Sequence, residues 1–386
     1  MSTTGPGASP YPRFSDSEMT ARRRSLADEM SKAGVEHVLV YGANRFGSAV
    51  QWLCRWPVTR EAVVVFTPGA QDTLFVQFRN HVRNAERIAT EADVRWGAES
   101  TIDSVVAELT KRGAAGVPIG IVGQLPFGYW ARLSSVAGDI VDLNAAYTRL
   151  RLVKSSEELD WVRTGTRFTD RALASLEAGA RPGMTEMQLG DLVERAYVAE
   201  GGTNHIHYFA ATPMDAPTVG VPAQWPSDRT LTIGDALVCE ISASFWDYPG
   251  QVLRTFTVGE EPNALYRELH DVAQRTFDAI VARLRPGARA SEVMQALRIV
   301  EDAGFSLCDD LVHGFVGGYL PPVLHDATPA ADATDFVFRA GMTVVVQPNV
   351  ITPDGSAGVQ TGELLLVTDD GAERLHSTEP GMRRIG

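Results

Sequence analysis

Glu240 lies inside an apolar run, between Val238-Cys239 and Ile241. A carboxylate in such a strand is rarely tolerated without a partner or a task. Downstream, the segment Gly250-Gln251-Val252-Leu253-Arg254-Thr255-Phe256 alternates as a strand does, and a suitable pairing register would bring Gln251 and Arg254 into one cleft with Glu240. Arg254, in otherwise apolar surroundings, is a natural counter-ion. His313 opens a glycine-rich stretch, His313-Gly314-Phe315-Val316-Gly317-Gly318-Tyr319-Leu320-Pro321-Pro322. Its imidazole, with an ordinary pKa of about 6.5, could donate or accept a proton near neutrality. Glycines let the backbone approach a ligand, and the double proline suggests a rigid wall. Gln347 closes an apolar strand, and Glu363 precedes Leu364-Leu365-Leu366-Val367, so its burial also needs a partner. Glu240, Gln251, His313, Gln347 and the Gly362-Glu363 pair are spaced like a two-metal hydrolase site. Hard cations, however, are held by anionic oxygen, and two of these positions are neutral amides.

The elements that must position these residues fall into two parts. The first alternates helix-like and strand-like segments: a helix over 16–33, a strand over 37–41, a hairpin of 62–66 with 73–76 around Pro68-Gly69, a helix over 102–112, and short strands at 119–122 and 140–141. That order predicts an α/β layer with a mixed sheet. The texture changes near position 150, where Ser155-Ser156-Glu157-Glu158 opens a long helical stretch over 154–180 like a capping box. The second part carries an internal repeat, 172–203 and 276–306. Each copy has a helix, then Arg-Pro-Gly, then a hydroxyl N-cap (Thr185, Ser291), then a second helix closing in Gly. Strand blocks follow each copy, at 236–242 with 252–258 and at 343–346 with 364–368. Two α+β units related by a pseudo-two-fold axis would leave a cleft along their join. We therefore expect a tail over 1–12, an α/β domain over 13–150 and a catalytic domain over 151–386.

Composition narrows the function classes. The 386 residues include 35 Lys+Arg and 48 Asp+Glu, a net charge of −13. Such an acidic chain argues against nucleic acid as a partner. No apolar run is long enough for a membrane span, and residues 1–11 lack the apolar core of a secretory signal, so a cytoplasmic location is expected. The three cysteines, Cys54, Cys239 and Cys308, show no CxxC spacing, which excludes a disulfide framework or zinc knuckle. No glycine-rich phosphate loop is present in the first part.

The part from Leu152 onward resembles the pita-bread fold of the creatinase, prolidase and methionine aminopeptidase superfamily. The linker Leu150-Arg151-Leu152-Val153-Lys154-Ser155 is similar to the entry into that domain. Residues 251–259 are similar to its Asp-x-Thr-Arg-Thr-Phe-x-x-Gly strand, His313-Gly314 to its metal-binding His-Gly, and the segment from Gly341-Met342 to Pro348 to its Gly-Met…Glu-Pro. The first part is compatible with the smaller domain of creatinase and prolidase. In metal-dependent members two Asp, one His and two Glu bind the ions. The resemblance places Glu240, Gln251 and Gln347 at three of these positions, and Gly362 or, one residue on, Glu363 at the last. His313 alone is retained. A second active-site His would fall near Pro222, with His205 and His207 further upstream. The resemblance thus implies no working metal pair and no other cofactor. It also points to the metal-free branch of ectoine hydrolase and creatinase, to which Glu240, the Tyr319-Leu320-Pro321-Pro322 loop and Glu363 are similar.

The function expected on these grounds is a metal-independent hydrolase of a C–N bond (amide, cyclic amidine or guanidino) in a small polar substrate. His313, Glu240 and Glu363 would be catalytic. Gln251, Arg254, Gln347, Tyr319, His205 and His207 would bind substrate. A lyase, decarboxylase or cyclisation enzyme would need the same groups, and a metal-dependent Xaa-Pro peptidase or a non-enzymatic binding module are the other readings. The resemblance also implies a homodimer, with Arg60, Arg79 and His81 of one subunit reaching the other's site.

Overall fold

The computed structural model describes residues 11–45, 48–326 and 335–386. Most of the expected tail thus lies outside the described residues. The chain divides into two compact units, Met1–Arg151 and Leu152–Gly386.

In the first unit the helix Asp16–Ala33 starts where the Ser15 hydroxyl accepts from the Glu18 N–H, and ends at Gly34, whose φ of 68° suits a residue without Cβ. A six-stranded sheet follows. Its order is Asp93–Trp96, Thr73–Val76, Ala62–Phe66, His37–Gly42, Pro118–Val122, Asp139–Asp142. The strand His37–Gly42 runs antiparallel to Ala62–Phe66 and parallel to Pro118–Val122, a mixed sheet. Leu39, Val65, Phe75, Leu109 and Ile121 form its core.

The second unit realises the internal repeat. In the first copy the helix Ser156–Gly179 is held by a Ser155/Glu158 capping box, and the helix Glu186–Glu194 by one between Thr185 and Gln188. In the second copy the helix Ala264–Val281 is capped by Asn263, and the chain turns at Gly287 (φ 85°). Here the expected cap at Ser291 is displaced. The helix Ala290–Val293 starts from Arg289, and the Ser291 hydroxyl instead donates to Asp335 at 2.7 Å. The side chain found a carboxylate on another segment, a competition that local spacing does not reveal.

The two copies contribute halves of one sheet, antiparallel along its main path. Its main path runs Leu320–Leu324, Val312–Gly314, Thr343–Val346, Gly362–Val367, Val252–Val258, Asp235–Phe245, Thr203–Pro213. The halves join at two residue pairs, Val252 with Glu363 and Leu253 with Gly362. Helices cover one face of the sheet. Phe168, Leu173, Cys239, Val252 and Phe256 pack there on one side of the join, and Ile280, Val312, Val344 and Leu365 on the other. This is the α+β pita-bread arrangement that the sequence led us to expect. Among the described residues, no helix is long and apolar enough to cross a membrane.

Candidate functional site

Register decides which side chains share the face turned away from the covering helices, the open face, although most of its side chains are buried. Residues directly opposite in a sheet lie on one face, and the chain returns to it every second residue. Glu240 opposes Leu253 and Tyr208. Leu253 opposes Gly362. Val345 opposes Leu364 and His313. Following the alternation, one face therefore collects Tyr208, Glu240, Gln251, Gly362, Gln347 and His313. The opposite, helix-covered face collects Cys239, Val252, Arg254, Glu363 and Val346.

On the open face, Gln251 Nε2 donates to Glu240 Oε1 at 2.6 Å. Burial raises the Glu240 pKa to about 7, assisted by repulsion from Asp309 and Asp310 and opposed by hydrogen bonds from Gln360 and Gln251. Asp310 is buried. It accepts from the Tyr319 hydroxyl at Oδ1, and Gln347 Nε2 donates to that same oxygen at 3.3 Å. The Tyr319 ring stacks on His313 with centroids 4.0 Å apart. His313 Nδ1 lies 3.1 Å from the Gly314 carbonyl, which can only accept, so Nδ1 carries the proton and Nε2 presents a lone pair. Burial pushes the His313 pKa down to about 4. At neutral pH His313 is thus an uncharged acceptor, and Glu240 is the group poised to exchange a proton. This reverses the division of labour expected from their ordinary pKa values. His205 extends the face, its ring edge against Phe315 at 5.6 Å, and Phe315 is 5.4 Å from His313.

Three expected site residues sit elsewhere. Arg254 and Glu363 lie on the helix-covered face, where Arg254 donates to Glu363 Oε2 at 2.7 Å and Arg374 clasps both Glu363 oxygens. Burial would raise the Glu363 pKa, but the two guanidiniums outweigh it and hold the group below the ordinary carboxylate range. Glu363 is a structural ion-pair partner and is not free for catalysis. The apolar run on both of its faces hid this, because alternation is silent when both faces are buried. His207 also points to the helix side, with Nε2 2.7 Å from the Tyr197 hydroxyl and a ring nitrogen against its neighbour's carbonyl at Ile206. Asp309, Asp310, Tyr208 and Gln360 were missed. The available signal was two adjacent carboxylates immediately before the apolar Leu311-Val312.

Comparison with known proteins agrees with this fold. Metallopeptidase family M24 matches residues 160–369, which include every strand of the open face from Thr203 to Val367. The probable dipeptidase PepE of Mycobacterium tuberculosis is 28% identical over 268 residues, 69% of each chain. The Xaa-Pro dipeptidase of Pyrococcus horikoshii is 22% identical over 264 residues, 68% of this chain and 73% of that one. Among solved structures, dipeptidase PepE from Mycobacterium ulcerans superposes with a TM-score of 0.78 at 22% identity, covering 97% of this chain and 100% of that one. The Xaa-Pro dipeptidase from Bacillus anthracis gives 0.79 at 18%, covering 95% and 100%. These findings overturn the expectation of a metal-independent, creatinase-like C–N hydrolase: the matching family is one of metallopeptidases, and these relatives are named as dipeptidases.

A metal pair of the kind that family name implies does not fit the donors present. Gln251 and Gln347 bring neutral amides. Gly362 brings no side chain and has no room for one, since a Cβ there would lie 2.3 Å from the Val346 carbonyl oxygen and 2.8 Å from Gln347 Cα. Glu363 is held by two arginines on the other face. Among the described residues, no three His, Cys, Asp or Glu side chains are grouped to hold an ion.

Proposed function

Because this chain belongs to metallopeptidase family M24, we propose that it is a hydrolase cleaving amide bonds in short peptides. The observation that carries the reading is the family match over 160–369, which takes in every strand that bears these side chains. The dipeptidase names among its relatives support a substrate of dipeptide size.

The side chains of the cleft supply binding, orientation and a proton. Glu240, with its pKa near 7, holds a proton at the point where acid–base exchange is most effective at neutral pH. Gln251 fixes the Glu240 carboxyl by its 2.6 Å hydrogen bond, and so fixes the direction in which the proton is exchanged. Tyr319, tied to Asp310 and stacked on His313, forms one wall and holds the imidazole plane. His313 Nε2 accepts a hydrogen bond from substrate. Glu240 and His313 stand on strands paired on both sides, so these two groups rest on rigid elements.

The test is incubation of the full chain with a dipeptide panel that includes Xaa-Pro members. One arm contains chelator, and separate arms contain manganese, cobalt or zinc. Products are read by mass. Cleavage with the addition of one water supports the proposal. Absence of cleavage in every arm, or products that have gained no water, overturns it.

A further inference from the structure

We propose that the segment 375–385 is a strap that holds the two half-sheets in register, and that His376, which anchors it, is a positioning residue for amide hydrolysis. This deepens the peptide-hydrolase reading and rests on it for the reaction.

The side chains of the open face come from both halves. Glu240 and Gln251 belong to the first and His313 and Gln347 to the second, so their mutual placement is set at the join. The ladder there is short: two residue pairs, with the Leu364 N–H donating to the Gln251 carbonyl at 2.9 Å. A second connection supplements it. The strand Ala372–Arg374 pairs with Gly362–Val367 of the second half, and the strand Arg383–Ile385 runs parallel to Val252–Val258 of the first. Ile385 packs in one core cluster with Phe256. One continuous segment thus stitches the halves together on either side of the join.

Polar contacts anchor the middle of the strap on the helix side. His376 Nδ1 lies 2.6 Å from Oδ1 of Asp170, which stands on the helix Ser156–Gly179. The Ser377 N–H and hydroxyl donate to Asp170 Oδ2 at 2.8 and 2.7 Å. A carboxylate accepts, so His376 Nδ1 carries the proton. The His376 side chain is fully buried and its Nε2 has no partner, so Nδ1 makes the whole of its polar attachment. Two residues on, the Thr378 hydroxyl accepts from Arg254 Nη2 at 3.2 Å, and its carbonyl accepts from Arg374 Nη2 at 3.1 Å. Arg254 Nη1 in turn donates to the Gly362 carbonyl at 2.8 Å. Gly362 lies so close to Gln347 that a Cβ there would stand 2.8 Å from Gln347 Cα. Contacts therefore run from Asp170 through the strap and Arg254 to the second half of the open face. A shift of about 1 Å remote from the reacting bond can cost about a hundredfold in rate, so an anchor that holds the halves in register acts on the reaction.

The experiment uses the full chain and three variants. His376→Leu removes the donor, His376→Asn returns an N–H near the place of Nδ1, and Asp170→Asn removes the charge that the donor meets. Site-resolved hydrogen exchange reads the join directly. In His376→Leu the Leu364 amide should exchange at least about tenfold faster, the scale of one hydrogen bond to a charged group, while the Val238 and Val344 amides inside the two halves keep the parent's rates. For a dipeptide that the parent cleaves, kcat should fall at least about tenfold with KM within about twofold of the parent's. His376→Asn should restore both readouts. If His376→Leu does not fold, Asp170→Asn carries the same expectations, and failure of both to fold overturns the positioning role. Unchanged Leu364 exchange, equal acceleration at all three amides, faster Leu364 exchange with kcat unchanged, or no rescue by His376→Asn would each overturn it too. Exchange needs no turnover, so the two claims separate. A parent that cleaves no peptide defeats the peptide-hydrolase reading, and a parent that cleaves while Leu364 exchange is unmoved in the variant defeats the inference alone.

Discussion

Replacing Glu240 with glutamine should make the protein more stable at alkaline pH and change its stability little in acid. Burial and the neighbouring Asp309 and Asp310 raise the Glu240 pKa from 4.5 to about 7. Between those values the folded state holds a proton that the unfolded state has released. Stability therefore falls as pH rises through this window, and above about pH 7 the folded state bears the full cost of an ionised, crowded carboxylate. A shift of this size corresponds to about 3 kcal/mol, at about 1.4 kcal/mol per pH unit. Glutamine cannot ionise, so the variant escapes the cost. His313 and His207, whose pKa values burial lowers to about 4, act in the opposite sense: their contribution is present above about pH 6.5 and is lost as pH falls. Both proteins contain them, so they cancel in the difference. Urea unfolding of parent and variant across about pH 4.5 to 8.5 gives the difference curve. It should rise from near zero to about 3 kcal/mol and level off above neutrality. A difference independent of pH would refute the electrostatic account of Glu240.

The remaining predictions concern the join of the two half-sheets. Gly362→Ala places a Cβ against the Val346 carbonyl and Gln347 Cα, both backbone, so it should cost about 1–3 kcal/mol by the same unfolding assay; a neutral change would remove the steric argument against a liganding side chain there. Arg254→Met leaves Glu363 with Arg374 alone and should cost about 3–5 kcal/mol. Because the Glu363 pKa is depressed, that gap should be complete above about pH 4.5 and close as pH falls. Since Arg254 lies on the helix-covered face, KM should be unchanged, and a raised KM with unchanged stability would return Arg254 to the cleft.

What could be read from the chain follows from how local each signal is. The capping boxes at Ser155 and Thr185 and the turns at Gly183 and Gly287 depend on neighbours within a few residues, and the repeat they outline is visible in sequence. The open-face positions of Glu240, Gln251, His313 and Gln347 were legible because each interrupts or ends an apolar strand. The side of the sheet taken by Arg254 and Glu363 was not, because it depends on the pairing of Val252 with Glu363, residues far apart in the chain. His207 was lost for the same reason, its partner Tyr197 being a matter of packing. Asp310 escaped notice because it stands just outside a three-residue strand, Val312–Gly314, too short to show alternation.

The account depends most on an amide bond being hydrolysed with Glu240 exchanging the proton. The direct measurement is kcat/KM of the parent and of Glu240→Gln for one dipeptide that the protein cleaves, at the same pH and ion composition. A loss of at least about a hundredfold in the variant is predicted. Equal values would contradict it.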